Sequence, residues 1–192
     1  MEICSKSFVR ATIALGALIF ASSGAAGGPE RADIMIQGGG GVYASDGATL
    51  VRQTNGVLAS MQVPTPASGA YDYPAGREAG HPEVFTVWAF IFNYPALCDG
   101  PCNSNDIGNT MAQGGAFNVG GHAVGSGQYM NVSGRIGVGE APFSGVPLVN
   151  PDGAEVHLAL APHGALDPAT LPGEFRSPTG PSQFWWVAVF AP

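Results

Sequence analysis

The sequence predicts an all-β fold, a single-domain antiparallel sandwich or partly closed barrel, and three observations predict it. Apolar and polar residues alternate repeatedly, whereas no stretch beyond about eight residues after the leader carries a convincing apolar period of 3.6. Twenty-nine glycines and sixteen prolines, with Asn-Gly and Asp-Gly pairs among them, interrupt these runs at short intervals. About eight short strands fit between the interruptions without crossover helices, and neither an internal repeat nor a second domain is visible.

The elements follow in chain order. Residues 1–26 have the pattern of a secretory signal: Lys6 and Arg10, an apolar core from Ala11 to Ala21, then small residues from Ser22 to Ala26. That core is about half the roughly 20 residues needed to span a bilayer, so no membrane span is expected. Residues 27–192 are expected to form one secreted domain, extracellular or periplasmic. Val42–Ala44 and Ala48–Gln53 flank Asp46-Gly47, and Thr54-Asn55-Gly56 leads into Val57–Val63, which reads as a three-strand meander with hairpin-type turns. Pro64 to Pro82 is a long loop rich in Pro, Gly, Ala and Tyr. Val84–Phe92 is apolar at both alternating sets of positions, the mark of a central strand buried on both faces. Gln128–Val138 alternates, with Met130, Val132, Gly134, Ile136 and Val138 on one side. Ala154–Ala161 does the same with Val156, Leu158 and Leu160 inward and Glu155 and His157 opposite, and Gln183–Phe190 closes the chain as an aromatic strand.

Composition excludes several classes of function. With Glu2, Lys6 and Arg10 of the leader set aside, 13 acidic residues face five arginines, a formal net charge of −8 that disfavours nucleic acid and anionic surfaces. No lysine lies beyond the leader, so a lysine Schiff base and a P-loop lysine are both ruled out. Cys4 falls inside the leader, which leaves Cys98 and Cys102 as the expected disulfide of an exported domain. Their C-x3-C spacing differs from the C-x-x-C of thiol oxidoreductases, and there is no second pair to complete a zinc site. So small a ring constrains little of the unfolded chain, and its expected role is to shape Asp99-Gly100-Pro101.

Three blocks carry a family resemblance: Trp88-x3-Phe92-Asn93-x-Pro95-x2-Cys98-x2-Pro101-Cys102, Gly121-His122-x2-Gly125-x-Gly127, and Gly153 to Leu158 followed by His163-Gly164. In this combination the chain resembles a group of uncharacterised secreted prokaryotic proteins over residues 84 to 164. It departs from that group at Ala161-Pro162 and at Trp185-Trp186. The last block is also distantly similar to the His-containing strand of chordin-type domains, secreted β domains of uncertain biochemical role.

The candidate site residues fall into three sets. The four histidines are His81, His122, His157 and His163, and imidazole is the commonest transition-metal ligand. A copper or zinc site of His122, His157 and His163, with Glu155, requires the chain to fold back at Pro162, because a straight strand separates 157 from 163 by about 20 Å. Asp99, Asn103, Asn105 and Asp106 offer hard oxygen ligands for calcium, or else serve the loop's own turns. Trp185 and Trp186, with Trp88 and tyrosines 71, 73, 94 and 129, offer an aromatic platform. Adjacent strand residues point to opposite faces, so one tryptophan of the pair is expected in the core and the other outside. Neither a G-x-S-x-G nor an H-E-x-x-H motif is present, and the pair Asp152/Glu155 assigns no acid and base roles.

The first expectation is therefore a non-catalytic secreted β domain that needs no cofactor and binds an extracellular protein, matrix, glycan or other ligand. The second is a copper- or zinc-binding secreted metalloprotein, and the third a carbohydrate-binding module.

Overall fold

The computed structural model describes residues 28–65, 82–124, 129–178 and 185–192. The expected leader, His81, Tyr71, Tyr73, Gly125, Gly127 and nearly all of the Pro64–Pro82 loop lie outside the described residues. Nine strands are described: β1 Glu30–Ile36, β2 Val42–Gln53, β3 Gly56–Pro64, β4 Glu83–Phe92, β5 Gly114–Val124, β6 Tyr129–Gly137, β7 Ser144–Gly145, β8 Glu155–Ala165 and β9 Trp186–Phe190. One short helix, α1, covers Leu171–Glu174.

All nine strands join one antiparallel sheet in the order β6-β3-β2-β1-β9-β8-β4-β5-β7. The sheet curls into a partly closed barrel, and β5 lies against β6 across the seam without a hydrogen-bonded ladder. Backbone approach there is so close that a Cβ on Gly134 would strike the carbonyl of Val119. The inner face is filled by Ile34, Leu50, Met61, Phe85, Ile91, Met130, Ile136, Leu158 and Leu160, among others. Burial of this face supplies most of the driving force, at about 25 cal/mol per Å² of apolar surface.

The central strand is β4, paired with β8 on one side and β5 on the other. Its odd-numbered residues 85 to 91 enter the inner core. Its even-numbered residues Val84, Thr86, Trp88 and Phe92 are buried as well, in a second layer on the outer face. Trp88 is fully buried there beneath the edge of Phe143, whose ring centroid lies 5.3 Å away.

The structure corrects two details of the sequence reading. Asp46-Gly47 does not turn the chain, since β2 runs through it as one strand. Strand β1, which has no clear alternation, accounts for this: Asp33 Oδ1 accepts the Asp46 N–H at 2.9 Å, and the extra residues of β2 become a bulge opposite Ala32–Ile34. Asp46 sits at φ 51°, a conformation that aspartate tolerates. Val138, read as inward, lies past the end of β6 and is exposed.

One buried side chain ties the start of β1, the end of β9 and the turn before β8 to β2. Arg52 donates from Nε to Glu30 Oε1 at 2.7 Å and from Nη2 to Glu30 Oε2 at 3.4 Å. From Nη1 it also donates to the carbonyls of Pro151 at 2.8 Å and Ala154 at 2.6 Å, and from Nη2 to that of Ala191 at 2.8 Å. All five guanidinium N–H groups are therefore used. Arg52→Met leaves three carbonyls and a carboxylate without their donor, and is expected to cost about 3–5 kcal/mol in denaturant unfolding. Arg52→Lys, with three donors on one nitrogen in place of the planar fork, is expected to recover less than half of that loss.

Candidate functional site

The site is built on the outer face of β4, β8 and β9. Ladder partners point to the same side of a sheet, so each row across these strands can be read from the register. Phe92 lies beside Glu155, Phe90 beside His157 and Val189, and Trp88 beside Ala159 and Val187. The small side chain of Ala159 leaves a depression between larger neighbours. Trp185 stands at one edge with its ring stacked on Phe90, centroids 6.1 Å apart and planes 23° apart. The chain after Cys102 forms the opposite wall. Together they enclose a groove of about 340 Å³, floored by Phe90, Phe92, His157, Ala159, Val187 and Val189 and bounded by Trp185, Gln37, Cys102, Asn103 and Ser104.

The wall is held by covalent and polar staples. Cys98 and Cys102 form a disulfide, as expected, with Cα atoms 5.3 Å apart. The side chain of Asn93, 1% exposed, donates to the carbonyls of Gln113 and Pro147 and accepts from the backbone N–H groups of Val149 and Asn150. Asn93 therefore has all its hydrogen-bonding capacity spent on joining three loops, and its place in the Phe92-Asn93-x-Pro95 block is architectural. Two of the four Asx residues beside the disulfide, Asn103 and Asp106, are similarly occupied. Asn103 caps a single 3-10 turn over Ser104–Asp106, accepting from the Asn105 N–H, and Asp106 reaches back to the Asn103 N–H at 3.0 Å. Its oxygens serve the turn, as capping residues do.

His157 and Glu155 come together, with Nε2 donating to the carboxylate Oε1 at 2.6 Å. Phe92 meets the imidazole edge-to-face at 5.2 Å. Position and orientation of this ring are thus fixed from two sides, and only Nε2 is engaged with a described residue.

His122 and His163 do not join it. Pro162 does not fold the chain back: β8 continues to Ala165, and Pro162 lies beside a bulge where Phe85 pairs with Pro162 and Val84 with Gly164. A proline is tolerated there because β9 ends its pairing at Leu160 and the ladder to β4 is already broken. His157 and His163 therefore remain about 20 Å apart along one strand. His122 is exposed and pairs with Phe85, on the inner side of the sheet, whereas His163 reaches Thr86 on the outer side. The expected three-histidine set is not assembled, and among the described residues no group of three or more His, Cys, Asp or Glu side chains is placed to hold a metal ion.

Of the expected platform, Trp185 lines the groove while Trp186 is core, packed on Tyr43 and Phe85 at 5.2 and 6.4 Å. Trp88 is buried, and Tyr94 and Tyr129 are exposed away from the groove. The residues that sequence reasoning missed are Phe90, Ala159, Val187, Val189, Gln37 and Ser104. No motif marks them, because Phe90, Ala159, Val187 and Val189 become neighbours only through the register of three strands, and Gln37 and Ser104 join from the chain after β1 and from the 3-10 turn after Cys102. No known protein family, curated protein or solved structure matches this chain.

A buried polar relay runs behind the site. Trp88 Nε1–H donates to Thr86 Oγ1 at 3.0 Å, and that hydroxyl meets His163 Nε2 at 2.7 Å. Burial lowers the His163 pKa to about 4. With the ring neutral, the Thr86 hydroxyl accepts from Trp88 and donates to Nε2. The unfolded chain takes up this proton near 6.5, so the stabilisation is complete above about pH 6.5 and is lost as pH falls toward 4. The expected slope is at most about 1.4 kcal/mol per pH unit in that window. Urea melts of wild type and His163→Gln across pH 4 to 7 check this: the difference between the two should shrink steadily with acid. The disulfide is expected to contribute about 2 kcal/mol or less, read from the Cys98→Ser/Cys102→Ser double variant.

Proposed function

We propose that this chain is a non-catalytic ligand-binding domain of an exported protein, and that the outer-face groove is its binding site. The observation that carries the proposal is the groove's construction. Its floor belongs to three strands of one sheet and its wall is fastened by the disulfide and by the reciprocal capping bonds of Asn103 and Asp106, so the concavity exists before any ligand arrives. Its volume of about 340 Å³ falls in the range of small-molecule sites, and its lining combines apolar and aromatic side chains with a few polar ones.

The chemistry of the lining favours binding over bond breaking. His157 is the one titratable side chain in it, since Cys102 is oxidised. No described serine, threonine or cysteine is hydrogen-bonded to His157, so the groove presents no nucleophile held by a base. The exported address rests on the composition of residues 1–26, and the Cys98–Cys102 disulfide agrees with an oxidising compartment.

A plug in the groove tests the proposal. Val189 is 52% exposed and lines the groove, so Val189→Trp fills it at little expected cost to stability, within about 0.5 kcal/mol. Wild-type protein titrated with a library of neutral small molecules is expected to show backbone-amide NMR shifts clustered at Gln37, Ser104, His157 and Val189, and the plugged variant none. Shifts that cluster elsewhere, or that persist in the plugged variant, overturn it.

A further inference from the structure

The groove also carries information about what it takes. Its aromatic members Phe90, Phe92 and Trp185 offer flat apolar surface at the floor and one edge. Its polar members are Gln37, Ser104, Asn103 and His157, and no carboxylate, arginine or lysine lines it. Glu155 lies beside it in the row with Phe92, where its Oε1 is engaged by His157. A charged ligand therefore finds no counter-charge in the lining, and desolvating a charge against Phe and Trp without one is costly.

Three of the polar groups are unspent. The side chains of Gln37 and Ser104 make no hydrogen bond with any described residue, and His157 is engaged only through Nε2. Around the rim there are thus an amide that donates and accepts, a hydroxyl that does both, and one imidazole nitrogen. Such a set matches a ligand with several groups that each donate and accept, mounted on a ring with one apolar face.

We infer that the groove binds a neutral saccharide, with the apolar face of one pyranose ring laid against the aromatic surface at Trp185 and its hydroxyls bonded to Gln37, Ser104 and His157. This rests on the groove being the ligand site. A purely apolar ligand leaves these polar groups unpaired on closure, which is unfavourable. A hydroxylated ring satisfies both halves of the lining.

Titration of the full chain with neutral cello-, xylo-, malto- and chito-oligosaccharides, followed by tryptophan fluorescence and amide NMR, tests the inference. The comparison probes are an oligogalacturonate, which is an anionic sugar, and indole, which has a ring but no hydroxyls. At least one neutral oligosaccharide is expected to bind saturably with shifts at Gln37, Ser104 and His157. Trp185→Ala is expected to weaken it about tenfold or more, Trp185→Phe by less, and Val189→Trp to abolish it. Oligogalacturonate is expected to bind about tenfold more weakly or worse. Should indole shift the groove amides while none of the neutral sugars does, the groove stands as a site and the saccharide inference falls. Sugar binding that survives Val189→Trp with an intact fold places the site elsewhere and overturns both readings, as does an absence of binding by every probe.

Discussion

A single buried guanidinium fastens the two halves of this sheet where they meet, at β1 and β9. Strands β1 and β9 come from opposite ends of the described chain, and their pairing is only two residues long, Met35 with Val187 and Ile36 with Trp186. So short a ladder is weak by itself. Arg52 compensates by bonding the carboxylate of Glu30 at the start of β1, the carbonyl of Ala191 just beyond β9, and two carbonyls before β8. A planar fork of five donors suits this task, because its bonds leave in several fixed directions from one point. With the four strands β2, β1, β9 and β8 set in order, the curl of the sheet and the outer-face groove across β9, β8 and β4 follow from register.

Much of the fold is legible in the sequence because alternation reports one-sided burial directly. Strands β3, β4, β6 and β8 all appear near their expected positions. Strand β5 escapes notice because its sequence, Gly-Gly-Ala-Phe-Asn-Val-Gly-Gly-His-Ala-Val, has the composition of a loop. Glycine is poor strand material by propensity, yet here it is required by packing: a Cβ at Gly115 would strike the carbonyl of Val146. Strand β1 escapes for a different reason. Its charges at Glu30, Arg31 and Asp33 interrupt any pattern, and one of them is present to bond Arg52.

The site was partly legible, by residue type more than by position. Trp185, His157, Glu155 and the two cysteines stand out in the sequence, and the structure brings Trp185, His157 and Cys102 to one groove, with Glu155 beside it. What could not be read was the partition of similar residues. His163 is as conspicuous in the sequence as His157, but a bulge turns it into a buried layer where it accepts a hydrogen bond from the Thr86 hydroxyl. Trp186 differs from Trp185 by one step along a strand, and that step moves it from the groove to the core.

The place of β9 in the sheet bears on how the chain can fold. Remove those five residues and the remaining ladders separate into two blocks, β6-β3-β2-β1 and β8-β4-β5-β7, with no hydrogen-bonded strand pair between them. Each block can assemble by itself from its own pairings. The last described strand is therefore a keystone, and the barrel exists only after it has been inserted between two preformed edges. Until then both blocks expose an open edge beside apolar surface, a state prone to pairing with other chains. For a chain emerging from its amino-terminal end, closure must wait for residue 190, so the barrel closes late even where the two blocks have already formed.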